Sequence, residues 1–250
     1  MKQSPNTFSI FFIIICLFIG FGLRYYHIGE HGLAGDEKYS LFVSQFVTYE
    51  GNNQHNSVRK ETSPYFTPAE FWSEKSIPDF FDSISRLDTG NGALYTYTLH
   101  FWSKLVGVSD GNLRLLSLLF NLATILLLYI FVKEHFKSER LALFSVLLAT
   151  ISPFYINYSQ VARNYCMNMF FALLATHLLL LIIRKEEGNK RPIGYYFAYG
   201  FSALACEMCH FSTFPLFFVH GLYVLLYFRK LRGYVGLALA MLIPVIGVLL

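Results

Sequence analysis

A chain of 250 residues that is 54% hydrophobic and 18% aromatic but only 14% charged is too apolar for an ordinary soluble domain, where about a quarter of residues carry charge. Its formal charge of +4 is scattered as small Lys and Arg clusters between apolar runs, a pattern that fits membrane topology and argues against a nucleic-acid partner. Cys16, Cys166, Cys206 and Cys209 all lie in or beside apolar runs, so they are not the framework of a secreted disulfide domain.

The first apolar run, Thr7 to Leu23, leads into Arg24-Tyr25-Tyr26 without a small-residue cleavage pattern and is read as an uncleaved first span. A long polar loop, 24–114, follows. It contains the adjacent acids of Gly35-Asp36-Glu37, a stretch from Lys38 to Val47 that the acids would N-cap as a helix, and an Asn52–Phe80 stretch with no sustained periodicity, read as an irregular connection. Ala93 to Val108 then repeats Leu94, Tyr97, Phe101 and Leu105 at helical spacing with polar residues between. It is too short and too polar to cross a bilayer and is expected to lie on the membrane surface.

Six further runs follow: Leu115 to Val132, Leu141 to Tyr158, Tyr165 to Ile183, Ile193 to Cys209, Phe211 to Phe228 and Tyr234 to Leu250. Each is close to the length that crosses about 30 Å of hydrocarbon. They lack the period of two of a barrel strand, and only helices or closed barrels satisfy their backbone in lipid, so the expected fold class is all-α, with seven spans in a single domain over 1–250. The chain stops inside an apolar run, which is read as a truncation. With a cytoplasmic N-terminus, the inside segments hold Lys2, Lys133, Lys137, Arg140, Arg184, Lys185, Lys190, Arg191, Arg229, Lys230 and Arg232, whereas the short outside turns hold only Arg163. The cation rule therefore places the 24–114 loop on the non-cytoplasmic side.

Asp36 and Glu37 are candidate catalytic carboxylates if their environments tune them apart; the plain alternative is a pair of acids opening a solvated helix. Arg163 is a cation where cations are disfavoured, so it is either a bidentate phosphate ligand or a side chain snorkelling to headgroups, and Arg114 invites the same two readings. The Cys206-Glu207-Met208-Cys209-His210 string has the spacing of covalent haem attachment, but it sits at the end of an apolar span. Glu207 and His210 are polar groups at membrane depth and mark function more often than chance. His177 and His220 are expected to hydrogen-bond between helices.

The ordered set consists of a first span, the outside Asp36-Glu37, the surface helix running into Phe101-Trp102-Ser103-Lys104-Leu105, Leu113-Arg114-Leu115, and Tyr158-Ser159-Gln160-Val161-Ala162-Arg163-Asn164-Tyr165, with His210 opening a later span. It resembles the glycosyltransferase C superfamily, in particular its protein-mannosyltransferase and lipid A aminoarabinose-transferase-like group. The sequence departs from that group at Val161, where an acid is usual, and at Gly90-Asn91-Gly92-Ala93, where a proline-rich stretch is usual.

The resemblance implies inverting transfer of a sugar from a polyprenyl-phosphate donor to a lipid, glycan or protein acceptor on the outer face of the membrane, with membrane lipids and no nucleic acid as partners. It gives Asp36 the role of the acid that deprotonates the acceptor, with Glu37 beside it, and Arg163 and Arg114 the role of holding the lipid phosphate. Lys104 and His210 are further candidates for substrate binding. No cofactor is assigned, and a divalent metal is left open. The competing readings are a transporter or flippase for a lipid-linked substrate, which inverted repeats or broken helices would favour, and a non-catalytic scaffold, which an Asp36 buried against a cation would favour.

Overall fold

The computed structural model describes residues 7–47, 68–85 and 92–249, all helical or connecting, with no strand among them. The long apolar run at the start forms α1 (Thr7–Tyr25). The 24–114 segment contributes α2 (Gly35–Ser44), α3 (Pro68–Trp72), α4 (Ile77–Ser85) and α5 (Ala93–Val106). The bundle is completed by α6 (Asp110–Phe136), α7 (Glu139–Ile151), α8 (Pro153–Ser159), α9 (Tyr165–Glu187), α10 (Ile193–Cys209), α11 (Phe214–Tyr227) and α12 (Leu231–Leu249).

Two expectations are corrected, and the count of spans is matched in part. The Asn52–Phe80 stretch is not irregular throughout: where it is described, it holds the five-residue α3 and the start of α4, whose period runs on past the stretch to Ile84. The helix after the acid pair begins at Gly35, with Ala34 as its N-cap, so Asp36 and Glu37 lie inside its first turn, and Glu37 caps it from there by accepting the Ala34 N–H. Of the seven expected spans, four helices among the described residues are long and apolar enough to cross a membrane, α1, α6, α9 and α12, and a fifth is reached by counting α7 and α8 as one bent span. At 17 and 14 residues, α10 and α11 rise only about 25 and 21 Å at 1.5 Å per residue, short of the hydrocarbon core.

The bend of 56° between α7 and α8 has a local cause and a distant support. Pro153 has no N–H to give the carbonyl of Ala149 one turn back, so the end of α7 is left with acceptors that have no helical partner. Arg24, at the end of α1, supplies the donors. Its Nη2 donates to the Ala149 carbonyl (3.0 Å), its Nη1 to the Thr150 carbonyl (2.9 Å), and its Nε to Asn121 Oδ1 (2.8 Å) on α6. The side chain is fully buried, and as a cation at a helix C-terminus it also meets the negative end of the α7 dipole.

Arg24→Leu would strand those acceptors in an apolar setting. It is expected to lower stability by about 2–3 kcal/mol, since each orphaned buried group costs about 1–3. Chemical unfolding in detergent reads this; an unchanged midpoint would mean the carbonyls find other partners.

The helices enclose three apolar clusters. One joins α1, α6 and α7 around Ile125 and Val146; a second joins α9, α10, α11 and α12 around Ile182 and Ala203. The third lies under α5, around Leu99, Leu113 and Met167. Because lipid offers little hydrophobic drive for helix association, close backbone approach and interhelical hydrogen bonds matter more than in water. A Cβ on Gly200 would lie 2.5 Å from the Ala240 carbonyl oxygen, so that residue sets the contact of α10 with α12. His177 and His220 bridge helices as expected. His177 Nδ1 meets His135 Nε2 at 2.8 Å, and His220 joins Tyr199 OH (3.1 Å) to Thr176 Oγ1 (3.2 Å). The outward faces carry exposed Phe8, Phe11 and Phe18 on α1 and Phe218 and Leu225 on α11, a surface suited to lipid.

The helix expected at the membrane surface, α5, starts where the periodicity places it. Leu99, Tyr95 and Ser103 of α5 are buried against the bundle, while Tyr97, Phe101 and Leu105 form an exposed apolar face, as suits a helix lying in the interface. Its start depends on Gly92: a Cβ there would sit 2.0 Å from the Met208 carbonyl oxygen, and the Gly92 N–H donates to the Cys209 carbonyl (3.1 Å). The departure from a proline-rich stretch thus supplies the small residue that this close approach requires.

Candidate functional site

The acid pair and the two cations meet at one end of the bundle. Glu37, at the third position of α2, is 2% exposed, and its two carboxylate oxygens accept four N–H groups, all at 2.8 Å. Oε1 takes Arg114 Nε and the backbone N–H of Ala162; Oε2 takes Arg114 Nη2 and the backbone N–H of Ala34. Burial alone would raise the pKa of this carboxyl. The hydrogen bonds and charge of Arg114 and the two backbone donors outweigh it and hold the group below the usual carboxylate range.

Arg114 is committed in turn. Its Nη1 donates to the carbonyls of Ile28 and His31 (both 2.8 Å), and its Nη2 also donates to the Gly32 carbonyl (3.2 Å). With the two bonds to Glu37, all five N–H directions of the guanidinium are spent inside the protein. The pair therefore fastens the 28–37 loop to α6 and to the turn at Ala162.

Asp36 faces the other way. Its side chain is exposed, and among the described residues no hydrogen bond reaches its carboxylate. Arg163 reaches the same spot from the turn between α8 and α9. Its Nη1 donates to the Asp36 backbone carbonyl (3.2 Å) and to Ser40 Oγ (3.3 Å), and Ser117 Oγ donates to the Arg163 carbonyl (3.1 Å). The guanidinium lies 5.8 Å from the centroid of the Tyr165 ring, a cation–π contact. Asp36, Glu37, Arg114 and Arg163 thus form one cluster. Ser40, which sequence reasoning missed, lies four residues after Asp36 and so on the same face of α2, a signal the helical period could have given.

Lys104 and His210 fall outside it. Lys104 lines an apolar cavity of about 710 Å³ walled by Phe80, Tyr97 and Phe101, with Leu204 and Met208 of α10. Phe46 and His100 also line it, their rings stacked at 4.3 Å, and His100 Nδ1 meets the Ser44 carbonyl at 2.6 Å. His210 caps the end of α10, and its Nδ1 accepts the Ser212 backbone N–H (3.1 Å). The adjoining Cys209 carbonyl accepts Asn164 Nδ2 at 2.5 Å, so this turn braces the residue next to Arg163. In the haem-like string, the Cys206 thiol points instead at Asn168 Oδ1 (3.1 Å).

Long apolar helices with a polar, charge-paired cluster gathered at one end define an integral membrane protein of the all-helical kind. The chain belongs to the dolichyl-phosphate-mannose-protein mannosyltransferase family, whose model matches residues 91–250. Membership makes it a mannosyltransferase-like membrane glycosyltransferase, in a family that uses a lipid-linked sugar donor and a protein or glycan acceptor. The matched stretch includes Lys104, Arg114, Arg163 and His210, while Asp36 and Glu37 precede it. No curated protein and no solved structure matches the chain.

Proposed function

We propose that the protein transfers a sugar, with inversion, from a polyprenyl-phosphate donor to an acceptor hydroxyl on the non-cytoplasmic face of the membrane. The observation that carries the proposal is the hydrogen bond from Arg163 to the backbone of Asp36, which brings an exposed carboxylate and a cation to a single point. Asp36 takes the proton of the acceptor hydroxyl, whose oxygen attacks the anomeric carbon. The bond from that carbon to the phosphate oxygen breaks, and the lipid phosphate leaves with the electron pair. Arg163 meets the charge that grows on the departing phosphate, the kind of change a positioned cation stabilises.

Glu37 and Arg114 act one step back. With every donor of Arg114 occupied, the pair serves to hold the acid-bearing turn in place, a positioning role. The cavity beside α5 suits the apolar tail of the donor. Phe46 on its wall lies just past the C-terminal end of α2, the helix that carries Asp36.

Arg163→Gln tests the proposal. Transfer from a radiolabelled polyprenyl-phosphate sugar by full-length protein in membranes is expected to fall about 10²–10³-fold, the usual loss when one transition-state donor is removed. A variant as fast as the parent would remove Arg163 from the reaction.

A further inference from the structure

At the opposite end of the bundle, two cavities share a rim that the transfer reaction does not use. α9 runs 23 residues, about 34 Å, from the turn of Arg163 to a junction where Lys230 Nζ closes its C-terminus, donating to the Glu186 and Glu187 carbonyls and to Asn189 Oδ1. There Glu186, 1% exposed, pairs with Arg232 Nη2 at 2.5 Å and accepts Tyr196 OH at 3.2 Å, so the one buried acid of the junction is spoken for.

Beside it lies a cavity of about 430 Å³ lined by Lys185, Lys190 and Arg191. Next to that, a groove of about 580 Å³ between α10 and α12 is lined by Arg191, by Arg232 with its partner Glu186, and by the apolar Phe197 and Leu239. Arg191 borders both; it is exposed and makes no hydrogen bond or ion pair among the described residues.

We infer that this junction binds an anionic phospholipid, its phosphate held by Lys190 and Arg191 and an acyl chain lying in the groove between α10 and α12. The argument is charge complementarity joined to an apolar continuation. A free phosphate would use the basic cavity but not the groove, and a neutral lipid would use the groove but gain nothing from three cations. The site lies at the far end of α9 from Asp36, so it is independent of the transferase reading.

The test is thermal unfolding of the full-length protein in neutral detergent with added phosphatidylglycerol, phosphatidylcholine or inorganic phosphate. Phosphatidylglycerol alone is expected to raise the midpoint. Lys190→Gln combined with Arg191→Gln is expected to weaken its apparent affinity about 30-fold, from about 5-fold per interfacial charge, with the midpoint in phosphatidylcholine unchanged. Arg232 is left intact because it pairs with buried Glu186. An equal response to phosphatidylcholine, a response to inorganic phosphate, or a phosphatidylglycerol response unaltered by the double substitution would each overturn the inference.

Discussion

Asp36→Asn is expected to lower sugar transfer about 10²–10⁴-fold, the range that a positioned general base contributes, while the protein inserts and unfolds like the parent. The two halves of the expectation rest on the same geometry. The carboxylate is exposed at the first turn of α2 and accepts no hydrogen bond among the described residues, whereas the contact to Arg163 uses the backbone carbonyl, which Asn retains. Losing the base thus leaves the site assembled around an amide that accepts no proton. Initial rates with a labelled lipid-phosphate donor, set beside an unfolding curve in the same detergent, decide it. Parental rates would exclude Asp36 as the base, and a rate loss matched by a stability loss would make it a structural residue.

Its neighbour is expected to behave in the opposite sense. Glu37→Gln puts an amide NH₂ where an oxygen now faces two N–H donors, so donor meets donor whichever way the amide is turned. Removing one partner of a buried ion pair costs about 3–5 kcal/mol, and the loss is expected as lower stability, with transfer falling in proportion to the folded protein that remains.

The same pair sets an acid limit. Because Glu37 titrates at a lower pH when folded than when unfolded, the stability it contributes is present at neutral pH and is lost as the pH falls through the ordinary carboxylate range and below. The acid branch of the unfolding profile is therefore expected to flatten in Glu37→Gln. A variant with the parental midpoint and the parental acid branch would deny the pair its positioning role.

How far these features could be read from the chain depends on how local their causes are. The bounds of α10 and the start of α5 follow from hydrophobic period and turn chemistry within one segment, and both agree with the structure. The break at Ser152-Pro153 also had its local sign in the proline, but the apolar run across it hid the bend. At five residues α3 lies below the length at which a period emerges, whereas α4 carries one in Ile77, Phe80, Phe81 and Ile84 that the sequence reading passed over.

Pairings between distant residues were the hardest part. Charge sign and side of the membrane suggested that Asp36 and Arg163 could share a site. Nothing near Arg114 says that its donors are used up by Glu37 and three loop carbonyls, and nothing near Arg24 says that its partners lie 125 and 126 residues ahead.

That last distance bears on how the protein is made. Translation delivers Arg24 to the bilayer long before the carbonyls of Ala149 and Thr150 exist, so during biogenesis its guanidinium has to wait at the polar boundary. The bent crossing, for its part, reaches the lipid with acceptors that Arg24 of α1 satisfies. Docking of α1 against α7 thus joins segments made more than a hundred residues apart.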